Sequence, residues 1–224
     1  GKHLSKCKFC GEFEKGNKFL KPAKLDFWTY LKILFPFYTF SKKINHDKEF
    51  KITKKVKDKL KEKYIVDASK KLMRLVDLEK NLNYNVKVIY LIRDGRAFIN
   101  SMRKKTKKGF FKWLVVWLFH NFFITRYLNK ENIDYYFLTY ERFCKQTDKV
   151  IKEINKKFEI SIPKNYVEKI RNITYHVRAG NRLRFNLDDF NGLQYNDKWN
   201  NKLTKFQKLI STIILEPFHK IWMK

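Results

Sequence analysis

Short apolar runs and longer segments with helical spacing alternate along this chain. Residues 86–92 are almost wholly apolar, so they predict a strand that is buried on both faces. Similar runs predict strands over residues 134–139 and 64–66. Helical spacing predicts helices over residues 70–80, 96–105, 110–129 and 142–158, and from Pro163 to about residue 173. Strands that alternate with helices in this way predict a parallel sheet in a three-layer α/β domain.

The last helix has its own start signal. Thr204 and Gln207 have the spacing of a capping box, in which each side chain bonds the other residue's backbone N–H. The helix is therefore predicted to begin there, and Pro217 is expected to disturb it further along.

The longest apolar stretch covers residues 110–128. Charged residues such as Lys112 and Arg126 interrupt it, so it falls short of the roughly 18 uninterrupted apolar residues that are typical of a membrane span. The stretch therefore predicts a buried helix, and no transmembrane segment is predicted in this chain.

The chain is strongly basic. Its 224 residues include 51 Lys and Arg against 22 Asp and Glu, for a net charge of +29. Such a field attracts polyanions, whether nucleic acid, an anionic nucleotide or a membrane surface. The lysines are spread along the whole chain, however, so a general compositional bias explains them equally well. With 44% hydrophobic residues, the chain predicts one globular domain rather than a disordered tail.

The cysteines carry little information. Cys7 and Cys10 have the spacing of half a zinc site, but no second pair follows and Cys144 lies far away. We therefore predict no metal site and no disulfide framework.

The most informative segment follows the strand predicted at 86–92. Arg93 lies at the strand tip, Asp94 can cap the next helix, and Gly95 permits a sharp turn. Ser101 follows eight residues after Arg93, inside that helix. A guanidinium and a hydroxyl near a helix N-terminus suit a phosphate dianion. The alternative is that Arg93 forms only a salt bridge with the next acidic residue.

Residues 86–103 resemble the 3′-phosphate loop of sulfotransferases that use 3′-phosphoadenosine 5′-phosphosulfate (PAPS). The family's other blocks have counterparts in the same order over residues 64–207. They are Tyr64-Ile-Val-Asp-Ala-Ser-Lys70, Phe137-Leu-Thr-Tyr-Glu-Arg-Phe143, a His176-to-Phe185 segment containing Gly180-Asn181, and Asp197-Lys-Trp199 with Leu203-Thr-Lys-Phe-Gln207.

The resemblance implies roles for eight residues. Arg93 and Ser101 are expected to hold the 3′-phosphate of the nucleotide. Lys70 is the catalytic candidate, because a basic residue in that region of related enzymes faces the transferring sulfuryl group; its alternative is an ordinary surface lysine. The remaining residues are expected to bind the nucleotide, with Tyr140 at the adenine unless it is only a tyrosine at the edge of the core: Lys105, Tyr140, Arg178, Gly180 and Asn181.

One family element has no counterpart. Related enzymes bind the 5′-phosphosulfate on a Gly/Ser/Thr-rich loop after their first strand, and none of the seven glycines here lies in such a setting. The resemblance therefore implies a single partial domain over residues 1–224, with a P-loop-like sulfotransferase fold that lacks its first strand and 5′-phosphosulfate loop. The isolated chain is expected to be inactive.

Two functions remain open at this point. The first is transfer of a sulfuryl group from PAPS, without a metal, to a hydroxyl of a carbohydrate, a protein tyrosine or a small molecule. Its location would be the cytoplasm in a bacterium and the Golgi lumen in a eukaryote. The second is a basic nucleic-acid-binding protein, in which lysines contact phosphates and aromatic rings stack on bases. The order of the blocks favours the first, with no specific nucleic-acid partner.

Overall fold

The computed structural model describes residues 64, 66–68, 72–76, 78–79, 85–106, 109–172, 192–195 and 197–222. The chain divides into two compact units, Gly1–Val86 with Asn165–Asn191 and Lys87–Lys164 with Gly192–Lys224. The elements in chain order are α1 (Leu72–Val76), β1 (Val88–Ile92), α2 (Gly95–Thr106), α3 (Phe110–Lys130), β2 (Tyr135–Thr139), α4 (Tyr140–Lys145), α5 (Thr147–Phe158), α6 (Tyr166–Asn172) and α7 (Lys205–Trp222).

The first unit contributes two short helices to the described residues. They are α1 and α6, and Arg74 Nε of α1 forms an ion pair at 2.8 Å with Asp67, which precedes that helix. The strand predicted at residues 64–66 is wrong where it can be checked, since Tyr64 and Val66 lie outside any strand. With three residues and no partner strand among the described residues, such a segment gains no ladder of hydrogen bonds.

The second unit contains the two strands, and they are parallel as the sequence predicts. Val88 lies beside Tyr135 and Ile92 beside Thr139, so the two strands end together. The intervening chain forms α2 and α3, which return it from the end of β1 to the start of β2. The described chain is therefore mixed α/β, with a small parallel sheet and mostly helices.

Two apolar clusters lie on opposite faces of this strand pair, because successive side chains of a strand point to opposite sides. On one face α5 packs against Leu138 of β2, with Phe137 turned the other way. The main cluster on that other face joins β1, α2, α3 and α7. Its buried members are Ile92, Ile99, Phe110, Leu114, Trp117, Leu203 and Leu215.

The predicted burial of β1 on both faces is wrong. Ile89 and Leu91 are 45% and 49% exposed, whereas Tyr90 and Ile92 are buried. Ile89 and Leu91 share the face that α5 covers, but α5 packs over β2 at Leu138. Among the described residues, no helix covers β1 on that side.

Two predicted helices also differ from the structure. The helix predicted over 142–158 is two helices, α4 and α5, that meet at Gln146, whose φ of −135° and ψ of 40° lie outside the helical region.

In α7, the predicted capping box is confirmed, since Gln207 N donates to Thr204 Oγ1 at 3.2 Å and Thr204 N to Gln207 Oε1 at 3.3 Å. Pro217 does not end α7, because the buried Leu215 and His219 on either side of it hold the helix to the core.

No helix in the described ranges is long and apolar enough to span a bilayer. In α3, one side of the helix is buried, as predicted, at Leu114, Trp117 and Leu128, while the opposite side is exposed. The long apolar stretch is thus a helix that contacts the core along one side.

Gly95 is required where α2, α3 and α7 meet. A Cβ at this position would lie 2.7 Å from Leu215 Cδ1 and 3.1 Å from Trp117 Cδ2. We predict that Gly95→Ala lowers the free energy of unfolding by about 1–3 kcal/mol, because the two buried side chains must shift. Urea denaturation at equilibrium measures the change.

Gly109 supplies the matched control. A Cβ there meets nothing within 4 Å, and its φ of −64° suits any residue. Gly109→Ala should therefore lower the free energy of unfolding by less than about 1 kcal/mol, because only the weaker preference for Ala at the N-cap of α3 acts against it. Equal losses of stability for the two variants would contradict the close approach at Gly95.

Candidate anion-binding site

The turn between β1 and α2 is held by side chains from three other helices. Each of its three residues uses a backbone group in one of these bonds, so the path of the chain is fixed at every step. Trp117 Nε1 donates to Arg93 O at 3.0 Å, Asp94 N donates to Glu141 Oε1 at 3.1 Å, and Gly95 N donates to His219 Nε2 at 3.4 Å.

Asp94 caps α2 and pairs with Arg96. Its Oδ1 accepts the Arg96 backbone N–H at 2.7 Å, and its Oδ2 accepts from Arg96 Nη2 at 2.7 Å. Burial pushes the pKa of Asp94 upward, but the Arg96 guanidinium and backbone outweigh it and hold that pKa below its usual range. The Asp94 carboxylate therefore stays ionised and remains bonded to Arg96 at the start of α2.

Arg93, in contrast, has no carboxylate partner in the described part of the chain. Its guanidinium carbon lies 4.9 Å from the centre of the Tyr140 ring, a cation–π contact. Its Nε is buried and makes no hydrogen bond. The next acidic residue, Asp94, is bound to Arg96 instead, so the salt-bridge explanation for Arg93 is wrong.

The side chain of Arg93 lines a cleft of about 210 Å³, which lies beside the first turns of α2. None of the described residues that line this cleft is acidic, so its three cations and its hydroxyl and amide groups suit an anion. The lining residues are Arg93, Ala97, Asn100, Ser101, Lys104, Lys198 and Trp199.

The far wall of the cleft comes from Lys198 and Trp199, far along the chain. Three contacts tie this segment and the preceding residues 192–195 to the site. Tyr140 Oη donates to Gln194 O at 3.2 Å, Lys145 Nζ lies 5.2 Å from the Tyr195 ring, and the Arg96 guanidinium lies 4.5 Å from the Trp199 ring. The Asp94–Arg96 pair thus connects the start of α2 to the wall that carries Trp199.

Three residues from the sequence prediction come together. Arg93 and Ser101 line the same cleft, and Tyr140 contacts the Arg93 guanidinium from outside it. Lys105 is exposed on α2 and does not line the cleft. The other predicted residues, and the cysteine pair near the N-terminus, lie outside the described residues: Lys70, Arg178, Gly180, Asn181, Cys7 and Cys10.

Three further lining residues, Asn100, Lys104 and Lys198, were not predicted from the sequence. Helix geometry could have found Lys104: at 100° per residue it lies about 20° from Ala97 around α2, whereas Lys105 lies about 80° away. Ala97, Ser101 and Lys104 therefore share one face. For Lys198 the only signal was the resemblance of its segment, which assigned it no role.

Comparison with protein-family models, with curated proteins and with solved structures finds no significant match to this chain. Among the described residues, no group of three or more His, Cys, Asp or Glu side chains could hold a metal ion. The chemistry of the site therefore follows from its own residues, which form a cationic cleft at the end of a parallel strand.

His219 makes the turn sensitive to pH. Burial lowers the pKa of its imidazole, although the carboxylate of Asp94 acts in the opposite direction, and the neutral ring accepts the Gly95 N–H. In the unfolded chain the ring titrates near a pKa of about 6.5. Below that pH the unfolded state binds more protons than the folded state, so the stability contributed by His219 is complete above it and falls as the pH falls.

We predict that the urea midpoint of the wild type decreases between about pH 7.5 and about pH 5.5. His219→Gln keeps an acceptor for Gly95 but does not titrate, so its midpoint should decrease less over the same range. An equal decrease in both proteins would contradict a neutral His219 in the folded state.

Proposed function

We propose that this chain belongs with the PAPS-dependent sulfotransferases and that the cleft holds the 3′-phosphate of the nucleotide. The acceptor would be a hydroxyl of a carbohydrate, a protein tyrosine or a small molecule. The two clusters on opposite faces of the strand pair fit the three-layer α/β architecture that this proposal requires. The order of the sequence blocks supports membership of the sulfotransferase family, and the cationic cleft supports binding of the 3′-phosphate.

The observation that best supports the proposal is that the Arg93 guanidinium has no carboxylate partner among the described residues. A partly buried guanidinium without a carboxylate is costly unless a ligand completes its hydrogen bonds. Ser101 and Lys104 line the same cleft, and none of the other described lining residues is acidic. A phosphate dianion would satisfy all three groups at once.

Each group would do separate work on a bound phosphate. Arg93 can donate two parallel N–H bonds to phosphate oxygens, Ser101 can donate its hydroxyl, and Lys104 acts as a point charge. The phosphate lies away from the bond that breaks, so this binding energy would fix the position of the nucleotide. Tyr140, beneath the guanidinium, would orient Arg93 and could contact the adenine with its other face.

The net charge of +29 favours a second candidate, a protein that binds nucleic acid through lysine–phosphate contacts. Ligand protection separates the two. Adenosine 3′,5′-bisphosphate should raise the melting temperature at moderate salt, and adenosine 5′-monophosphate should do so much less. Protection by single-stranded DNA alone, and only at low salt, would support the second candidate and contradict the first.

We predict that Arg93→Ala weakens binding of adenosine 3′,5′-bisphosphate by about 10- to 100-fold, because a charge-assisted two-point contact is lost. Titration calorimetry measures the affinity. Arg103→Ala is the control, since Arg103 lies on the same helix but bonds Gln207 outside the cleft. Similar affinities for the wild type and a folded Arg93→Ala protein would remove Arg93 from the site.

The adjacent lysines of α2 give a sharper test of the geometry. Both are exposed, but only Lys104 lines the cleft. Lys104→Ala should weaken nucleotide binding by up to about fivefold, as expected for an exposed charge pair, and Lys105→Ala should leave it nearly unchanged. The opposite order would favour Lys105, the residue that the family resemblance implies.

A further inference from the structure

The outer side of α3 is apolar along three turns. Phe111, Val115, Phe119 and Phe122 follow one another at intervals of four, four and three residues, which places them on one side of the helix. Phe111 and Phe119 are 57% and 54% exposed. We call these four residues, with Lys112 and Arg126 on the same side, the outer face of α3.

The aromatic residues of the outer face are held in place from below. Phe119 stacks on Phe123 with ring centres 6.0 Å apart, and Phe122 meets the same ring edge-on at 5.7 Å. Phe123 itself is buried. The exposed rings are therefore supported by the core, and the face is a fixed apolar surface.

The charged side chains of α3 itself all have one sign. The 21 residues of α3 include no Asp or Glu, while Lys112 and Arg126 are exposed on the apolar side. A second copy of the chain would bring more positive charge, because Lys and Arg outnumber Asp and Glu by 51 to 22. An occupant with negative charge and apolar contact area matches the face.

We propose that the outer face of α3 binds an anionic lipid surface, with the helix lying in the plane of that surface. Aromatic and aliphatic side chains on one side of a basic helix enter the boundary between headgroups and acyl chains, while Lys and Arg remain at the anionic headgroups. The opposite side of α3 stays in the protein core through Leu114 and Trp117. This proposal does not depend on the nucleotide site.

Co-sedimentation of the full chain with lipid vesicles tests the proposal. The protein should bind phosphatidylcholine vesicles that contain phosphatidylserine, and bind pure phosphatidylcholine vesicles much more weakly. Added salt should weaken the binding without abolishing it, because the apolar contacts are not screened. Failure to bind the anionic vesicles would overturn the proposal.

A matched pair of double variants assigns the binding to α3. Phe111→Ser with Phe119→Ser should weaken partitioning into anionic vesicles by at least about tenfold, from lost apolar burial. The control is Phe206→Ser with Ile213→Ser on α7, which removes side chains that are 63% and 64% exposed. It should change partitioning into anionic vesicles little. Equal effects of the two double variants would overturn the assignment.

A charge reversal decides the case if the α3 double variant does not fold. Arg126→Glu should weaken binding to anionic vesicles by roughly fivefold or more, whereas Lys152→Glu on the exposed side of α5 should not. Equal losses would mean attraction by net charge alone and would overturn the proposal. Dimers that dissociate in the Phe111→Ser, Phe119→Ser protein would show that a second copy occupies the face, which would also overturn it.

Discussion

The pairing of Asp94 with Arg96 determines the rest of the site. Asp94, the acidic residue next to Arg93 in the sequence, is bonded to Arg96 and not to Arg93. Because Arg96 holds both carboxylate oxygens at the start of α2, Arg93 keeps its charge available to the cleft. The same guanidinium lies over Trp199, so one ion pair also positions the far wall. Partly buried pairs of this kind contribute more through the arrangement they impose than through net stability.

The turn between β1 and α2 is coupled to the core by close packing and by hydrogen bonds. Gly95 lies in van der Waals contact range of Leu215 and Trp117, and its N–H is bound by His219. Trp117 packs in the main cluster and also holds the Arg93 carbonyl. Any change that moves α3 or α7 relative to β1 therefore moves the residue that bears the available charge. The site therefore depends on correct packing of α3 and α7 against β1, although α3 and α7 lie far apart in the sequence.

Local chemistry made part of this structure predictable. The strand, the Gly95 turn and the Asp94 cap involve neighbouring residues, so Arg93 and Ser101 could be placed together from helix geometry alone. The missed features depend on contacts between distant segments. Nothing near Lys198 indicates that it lines a cleft with Arg93, and the exposure of Leu91 depends on where α5 lies. Pro217 is a further example, because burial of Leu215 and His219 keeps α7 helical despite the local helix-breaking tendency of proline.

Net charge is a poor guide to where this protein attracts anions, because positive residues occur everywhere. What differs between regions is whether an acidic side chain is close enough to neutralise them. On α5, Glu153 binds Arg142 and Lys157 binds Asp134, so these cations are occupied. Neither α3 nor the cleft lining, as far as the structure describes it, contains Asp or Glu. In the cleft this leaves a compact group of cations and hydrogen-bond donors, which suits a phosphate. On α3, Arg126 lies on the same side as exposed phenylalanines, which suits an extended surface that is both anionic and apolar.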